Sequence, residues 1–468
     1  MKPKTFVKPI FFLIIILVIF CCSYETEDDL KTYTVTFQTD YVEKPNELHL
    51  TENSILTENQ LKDLIAADYT FIGWYDNDDE KAEAGSYTVT RDVTLTAKWE
   101  KNDYTITYYD KENKLEVLPN GFIAKKSVNI LPIPEKDNFI FDGWFENKNL
   151  TGTAVTEIAE GTNKDITLYS KWYAVGLSGT ATGKKQGEIF SPDITIDEKT
   201  YSKTSEIVVI PQGTEAFIKG NDKSQVFINK RNVKLSPFVI GQYEVTQGLY
   251  LAVTGNNPSK FKSGTSGGEA PVEQVNWYQA VSFCNELTKK IMTESDCVYY
   301  SDEKCSSVYT ITDANNEKMP FLKLTNTGYR LPTEAEWEFA ARGGNPGLED
   351  FYNNDKKLDD YAWYLDNSSE RTHNVGSKNA DSLNLYDISG NIWEWCWDFY
   401  NDAGVTNEKI SSGKIEENPL GFIPGAYRVI RGGSWLNPSN LCSVSHRYRF
   451  NMNYNEAPTI GFRLARSI

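Results

Sequence analysis

The sequence has few histidines and lacks the cysteine spacings that metal sites use. It contains three histidines, and neither a Cys-x-x-Cys nor a His-x-x-x-His spacing occurs in its 468 residues. Zinc sites are commonly built from such closely spaced ligands, so the sequence argues against zinc. Five cysteines follow residue 22, an odd number that leaves at least one free thiol. Cys297 and Cys305 are the pair that could close a small disulfide loop.

The chain also lacks an excess of positive charge. Lys and Arg number 48 against 65 Asp and Glu, and the net charge of −17 repels phosphate backbones. We therefore expect no nucleic-acid partner. Hydrophobic residues make up 40% and aromatic residues 13% of the chain, which is enough for packed cores. The length predicts two or more domains.

Only one long apolar run occurs, at residues 10–20, after three lysines and before Cys21 and Cys22. It is too short to span a bilayer and has the architecture of an export signal. The segment resembles a lipoprotein signal, which would make residues 1–22 the signal and Cys22 the acylated residue. We then expect an exported protein that is anchored to a membrane in the cell envelope or at the outer surface. A plain cleaved signal or an uncleaved anchor is the alternative, as is acylation of Cys21.

Two segments after the signal repeat one another. Three blocks of the first return in the second, and their alternating apolar and polar residues predict half-buried strands. The block pairs are Tyr33–Phe37 with Tyr104–Tyr108, Phe71–Tyr75 with Phe141–Phe145, and Asp92–Trp99 with Asp165–Trp172.

These blocks resemble the Listeria-Bacteroides (internalin B-type) repeat family, which implies small β-grasp-like modules at residues 31–100 and 101–173. For the four repeat tryptophans we favour core packing over ligand stacking; they are Trp74, Trp99, Trp144 and Trp172. Residues 174–204 are rich in Gly, Ser, Thr and Lys without periodicity, which predicts a linker.

The remaining residues, 205–468, carry five ordered motif blocks. Thr246 is predicted to cap one helix, and Thr333 with Glu336 forms the capping box of another. Cys284 lies on the apolar face of a third predicted helix, which indicates a buried thiol. The later blocks are Tyr329–Gly344, Leu385–Trp395, Arg431–Trp435 and Ile460–Arg463.

These blocks resemble the formylglycine-generating-enzyme family, also called the sulfatase-modifying-factor domain. The resemblance implies an irregular α+β fold related to C-type lectins over residues 205–468. It also implies a calcium site, because the family holds calcium with residues that here are Asp387, Gly390, Ile392 and Glu394. The alternative is that Asp387 and Glu394 cap a turn and form an ion pair.

The oxidase chemistry of the family uses two cysteines that hold a Cu(I) ion. In this sequence Asn437 stands at the first of these positions and Cys442 at the second. Cu(I) selects thiolate ligands, which an amide does not replace, so we expect neither copper nor cysteine oxidation. Cys442 is the one family cysteine that could still act catalytically, and Cys396 is expected to serve packing.

Polar and aromatic residues dominate the segment that follows Asn437. Tyr supplies rigid contact area and Asn adaptable hydrogen bonds, a composition typical of binding loops. The sequence therefore predicts a non-catalytic head that binds a protein or glycan ligand, with an oxidase of the same fold as the alternative. An ordinary solvated loop would have the same composition. The predicted binding residues are Asn437, Asn440, His446, Tyr448, Asn451, Asn453 and Tyr454.

Overall fold

A computed structural model describes six ranges of the chain: residues 31–219, 232–262, 268–344, 358–400, 415–421 and 425–468. The signal segment with Cys22 lies outside them. The chain divides into two compact units. One contains residues up to Ile106 with 118–129 and 158–166, and the other contains 107–117, 130–157 and 167–468. Within the six ranges, no helix is long and apolar enough to cross a membrane.

The first repeat is a four-stranded sheet with a separate pair of short antiparallel strands, β3 and β5. The sheet order is β2-β1-β6-β4, in which β1 and β6 run parallel. Trp74 fills the core beside the rings of Phe37 and Phe71, whereas Trp99 is half-buried. The strands are β1 (Thr32–Gln38), β2 (Leu48–Thr51), β3 (Ser54–Ile55), β4 (Tyr69–Tyr75), β5 (Thr88–Val89) and β6 (Val93–Lys101).

The second repeat places its tryptophans in the same way. Trp144 is buried and donates its indole N–H to the carbonyl of Pro132, as Trp74 does to Lys62. Trp172 is half-buried like Trp99. The expectation of core packing is thus confirmed for Trp74 and Trp144. The strands are β7 (Tyr104–Asp110), β8 (Asn113–Leu115), β9 (Gly121–Phe122), β10 (Phe139–Phe145) and β11 (Ile166–Ala174).

A glycine stands at the register shift in the aromatic strand of each repeat. Gly73 and Gly143 have φ of 150° and 139°. A Cβ at Gly143 would lie 2.9 Å from the Cβ of Ala154, closer than two carbons can approach. Glycine is needed there because the backbone conformation and the close neighbour both exclude a side chain.

The segment predicted to be a linker contains four short strands instead. They are β12 (Gly176–Gly179), β13 (Ile189–Ser191), β14 (Thr195–Ile196) and β15 (Lys199–Thr200). β12 pairs with residues 214–217 and β13 with residues 206–207 of the following domain. Strands of two to four residues are too short to show the alternation that identifies a strand in a sequence. The prediction of a linker from composition is therefore wrong for these strands, because β12 and β13 pair with strands of the following domain.

The last domain has four α-helices and twelve further strands in its described part. The helices are α1 (Gln247–Thr254), α2 (Trp277–Ile291), α3 (Ile311–Asn315) and α4 (Glu334–Ala341). The strands are β16 (Glu206–Ile210), β17 (Thr214–Ile218), β18 (Asn232–Leu235), β19 (Phe238–Glu244), β20 (Tyr299–Tyr300), β21 (Phe321–Leu322), β22 (Trp393–Phe399), β23 (Ile415–Glu417), β24 (Tyr427–Arg431), β25 (Arg447–Asn451), β26 (Ile460–Gly461) and β27 (Arg463–Ser467).

Three four-stranded sheets organise this domain, which we call the head. Their orders are β12-β17-β18-β23, β13-β16-β19-β27 and β25-β24-β22-β26. The helix caps agree with the sequence, because the Thr246 hydroxyl accepts the N–H of Leu249 and Thr333 forms a capping box with Glu336. Cys284 is fully buried on α2, as predicted.

The first prediction concerns where the head begins. Ile194 and Ile196 are buried in the main core cluster of the head, although both precede residue 205. A chain truncated to start at Ser205 loses both side chains and β12–β15. Burying two isoleucines stabilises a domain by several kcal/mol, so this truncation should melt roughly 10 °C below one that starts at Gly176. Circular dichroism melts measure the difference, and equal melting temperatures would contradict the assignment of these strands to the head.

Candidate functional site

The predicted binding residues lie on two segments that flank the end of β24. One is the turn from Trp435 to Cys442, and the other is β25 with the loop after it. Buried Arg431, the last residue of β24, holds the chain between the two segments. Its guanidinium donates to the carbonyls of Val444, Ser445 and His446. Three hydrogen bonds from one buried cation therefore fix the entry into β25.

Asn437 closes the turn through its side-chain oxygen and its backbone carbonyl. Its side-chain oxygen accepts the hydroxyl proton of Ser434 at 2.6 Å, and its carbonyl accepts the N–H of Leu365 at 2.9 Å. An amide that accepts these bonds is held in place by its neighbours. The residue at the first position of the family's cysteine pair is therefore a structural part of the turn.

Cys442 is a buried thiol in a small apolar cluster with Ala362 and Tyr364. Burial raises the pKa of this thiol to about 12. Gly433 lies against it so closely that a Cβ there would be 2.5 Å from the sulfur. A thiol with this pKa remains protonated at neutral pH, and the thiolate is the form that binds metals and attacks substrates.

The donor set does not fit a Cu(I) ion. Cys396 packs in the second core cluster of the head, whereas Cys442 packs with Ala362 and Tyr364. Burial also raises the pKa of Cys396 well above its usual value. Asn437 offers an amide in place of the first thiolate. Two separated, protonated thiols are unsuitable for an ion that prefers paired thiolates.

His446, Tyr448 and Trp393 form an aromatic group beside the start of β25. The Tyr448 ring lies 5.9 Å from Trp393 and 6.4 Å from His446 and is nearly parallel to both. Tyr448 is 52% exposed, whereas Trp393 is buried. Burial lowers the pKa of His446, and its Nε2 atom has no hydrogen-bond partner in the part of the chain that is described. The group presents one exposed phenol over a buried indole.

The loop after β25 uses two of its predicted ligand residues internally. The side-chain oxygen of Asn451 accepts the N–H of Asn453, and the amide of Asn453 donates to Glu317. Tyr454 packs edge-on against Phe450 and is 47% exposed. Both asparagines therefore shape the loop while remaining exposed, as Tyr454 is.

The structure thus separates the seven predicted binding residues into two classes. Five of them are exposed, namely Asn440, Tyr448, Asn451, Asn453 and Tyr454, whereas Asn437 and His446 are half-buried. Sequence reasoning missed the exposed leucines Leu365 and Leu436. Leu436 lies in the predicted segment, so its position was a usable signal. Leu365 joins this surface through a backbone bond that no local pattern reveals.

The four residues carried over for calcium lie around a buried turn that precedes β22. Asp387 is buried, and its Oδ2 atom accepts the N–H of Gly376 while Oδ1 has no partner within the described ranges. Gly390 has φ of 80° and lies against the backbone of Trp363. The N–H of Ile392 donates to Glu244. Burial raises the pKa of Asp387 to about 6.

Glu394, the fourth of these residues, is already bound by protein groups. Its carboxylate forms a 2.7 Å ion pair with Arg463 and accepts the indole N–H of Trp337. A calcium ligand needs an open oxygen, and only Asp387 offers a side-chain oxygen of that kind here. The residues present therefore do not fit the calcium site that the resemblance implies. The geometry of Glu394 matches the ion-pair alternative, although its partner is an arginine.

The fold and the site define a class of protein: two tandem β repeats followed by a mostly β head in which the motif blocks meet. The chain belongs to the sulfatase-modifying factor enzyme 1-like domain family, whose sequence profile matches residues 193–468. Residues 33–98 and 104–171 each match the Listeria-Bacteroides repeat domain. Both resemblances drawn from the motifs are confirmed.

Relatives within this family carry different descriptions. Chaperone protein LppX of Paenibacillus barcinonensis is 35% identical over 260 residues, covering 51% of this chain and 82% of that protein. A formylglycine-generating enzyme of Thermomonospora curvata is 29% identical over 305 residues, covering 55% and 92%. An inactive C-alpha-formylglycine-generating enzyme 2 of Bos taurus is 24% identical over 323 residues, covering 64% and 92%. Family membership alone therefore does not assign catalysis.

The second prediction concerns the reactivity of the cysteines. Cys305 is partly exposed, whereas Cys442 is buried with a raised pKa. Iodoacetamide reacts with thiolates, so at neutral pH Cys305 should be alkylated at least about 100-fold faster than Cys442 in the native chain. Mass spectrometry of proteolytic peptides over time measures both rates, and unfolding in urea should equalise them. Comparable native rates would show that Cys442 is an accessible thiolate.

Proposed function

We propose that this chain is an exported, lipid-anchored bacterial protein whose head binds a protein ligand without catalysis. The observation that carries the proposal is the exposed apolar surface of the head around β25 and the preceding turn. Four side chains near it are between 44% and 52% exposed; they are Leu365, Leu436, Tyr448 and Tyr454. We call these four residues the binding face.

The composition around the binding face supports a protein ligand. Residues 425–455 include three exposed tyrosines, exposed Arg449 and no Lys, Asp or Glu, although 24% of the whole chain is charged. The other three arginines of this stretch are buried or half-buried. Protein interfaces are enriched in Tyr and Arg and depleted of Lys, Glu and Asp. A stretch of this length without a carboxylate or a lysine is unusual for solvated surface in so acidic a chain. A binding surface for a protein accounts for this lack of lysines and carboxylates.

The exposed leucines favour a protein over a glycan. The side chains of Leu365 and Leu436 offer no hydrogen bonds. The backbone N–H of Leu365 donates to the carbonyl of Asn437, the residue after Leu436. Aliphatic side chains gain free energy by burying apolar area, which protein surfaces offer in larger patches than hydroxyl-rich sugars do. Tyr448 and Tyr454 add rigid rings at small entropic cost. A glycan ligand is the alternative outcome of the test below.

Two observations support a head without oxidase activity. Asn437 is held in the turn by Ser434, and the Cys442 thiol is buried and protonated at neutral pH. A formylglycine-generating oxidase is the competing function because a relative carries that name, yet another relative is described as inactive. The chemistry of the donor set favours the inactive alternative.

Export and anchoring rest on the N-terminal sequence. Residues 1–22 have the charged, apolar and cysteine elements of a lipoprotein signal, with Cys22 as the acylated residue. Matches to a repeat domain named after two bacterial genera are consistent with a bacterial envelope protein.

The third prediction tests the binding face in the cells that make the protein. A photo-cross-linking amino acid placed at Tyr448 should yield a discrete protein adduct on irradiation, because this ring is exposed. The adduct yield should fall at least about tenfold when Tyr454→Ala is added, since truncating a hot-spot tyrosine of an interface costs about 2 kcal/mol or more. Leu436→Ala should lower the yield in the same direction. Mass spectrometry of the irradiated cells identifies the adduct.

The matched control places the same amino acid at Tyr41, a tyrosine of the first repeat that is also 47% exposed. This position should give no adduct of the same mass. Equal yields from Tyr41 and Tyr448 would contradict a specific face on the head. An adduct that glycosidases remove would assign the face to a glycan instead.

A further inference from the structure

Both carboxylate oxygens of Glu394 are engaged by protein donors. The Oε1 atom accepts an N–H of Arg463 Nη2 at 2.7 Å, and the Oε2 atom accepts the indole N–H of Trp337 at 2.7 Å. The N–H of Arg463 Nε lies 3.0 Å from both oxygens and is shared between them. A cation at Glu394 would have to displace Arg463, Trp337 or both.

Arg463 is held at this position by further hydrogen bonds. Besides Glu394, its guanidinium donates to the carbonyls of Gly241 and Tyr386 at 2.9 and 2.8 Å. The side chain is fully buried. A buried guanidinium that lost its carboxylate would be left as an uncompensated charge, which is strongly destabilising. Displacement of Arg463 by a calcium ion is therefore unfavourable, because both Glu394 and Arg463 would lose their hydrogen bonds.

Two further carboxyl groups lie in the same buried region. Glu244 accepts the amide of Asn391 and the N–H of Ile392, and Asp387 accepts the N–H of Gly376. Burial raises the pKa of both groups, and the charge of Arg463 opposes that rise. Arg463 is thus the cation that all three carboxyl groups share.

Calcium would need more open carboxylate oxygens than this region provides. It binds six to eight oxygens in proteins, and acidic side chains supply several of them. Across the described ranges, no group of three or more His, Cys, Asp and Glu side chains is arranged to hold a metal ion. The implied site needs carboxylate oxygens from both Asp387 and Glu394. Of these, Oδ1 of Asp387 is the open one, and it cannot serve for both residues.

We propose that the guanidinium of Arg463 holds the carboxylate of Glu394 so that the head folds without calcium. Arg463 is the last residue of the Ile460–Arg463 block and the first residue of β27, so the chain itself supplies the positive charge. This inference concerns the metal alone, and the ligand-binding function stands or falls separately.

The fourth prediction tests this with calcium itself as the probe. The full chain, first stripped with excess EGTA, should melt at the same temperature with and without millimolar calcium. Titration of calcium into it should give no saturable heat of binding. If the folded chain bound calcium, a calcium concentration of about 100 times the dissociation constant would raise the melting temperature by roughly 5 to 10 °C. Such a rise, together with one bound calcium per chain, would overturn the proposal.

Glu394→Gln distinguishes the two accounts a second way. If Glu394 serves Arg463, the melting temperature of the variant should fall by the same amount in EGTA as in calcium. If Glu394 binds calcium, the variant should differ from the unmodified chain in calcium only. Glu206→Gln is the matched control, because Glu206 is another buried carboxylate, paired with Arg466 at 2.7 Å. Should Glu394→Gln fail to fold, the comparison of the unmodified chain in the two buffers still decides the matter.

Discussion

The buried charge of Arg431 is the constraint on which the arrangement of the head depends. Its guanidinium, with no exposed surface, forms a 2.6 Å ion pair with Glu338 of α4 and three bonds to carbonyls at residues 444–446. Arg447 then pairs with Glu334 one turn earlier on the same helix. A buried cation is tolerated only when its donors are paired. α4, β24 and the start of β25 are consequently held in one arrangement.

This arrangement separates the framework of the head from its surface. The charged residues of the motif blocks face inward, where Glu336 pairs with Arg330 and Glu394 with Arg463. Tyr448, one residue beyond Arg447, faces outward. Because the ion pairs hold the backbone, the outward residues can differ in chemistry without altering the fold. The same principle explains how a family with an oxidase can include a head with Asn437 in place of a cysteine.

The sequence predicted features whose causes are local. The capping box of Thr333 and Glu336, the apolar face of α2 and the repeat tryptophans follow from spacings of a few residues. It could not predict that the amide of Asn453 donates to Glu317, because the two residues are 136 positions apart. β12 and β13 were missed because they are short and pair with residues of the following domain. The β-grasp-like and C-type-lectin-like labels stay predictions, since strand order alone does not test them.

The account claims that the head has kept this framework and lost the oxidase chemistry. The most direct measurement is incubation of the copper-treated full chain, with oxygen and reductant, with a cysteine-containing sulfatase-type peptide. Mass spectrometry then follows conversion of the peptide thiol to an aldehyde. The account predicts an unchanged peptide mass, because one buried thiol cannot hold a Cu(I) ion as two thiolates do. Aldehyde formation that disappears in Cys442→Ser would contradict it.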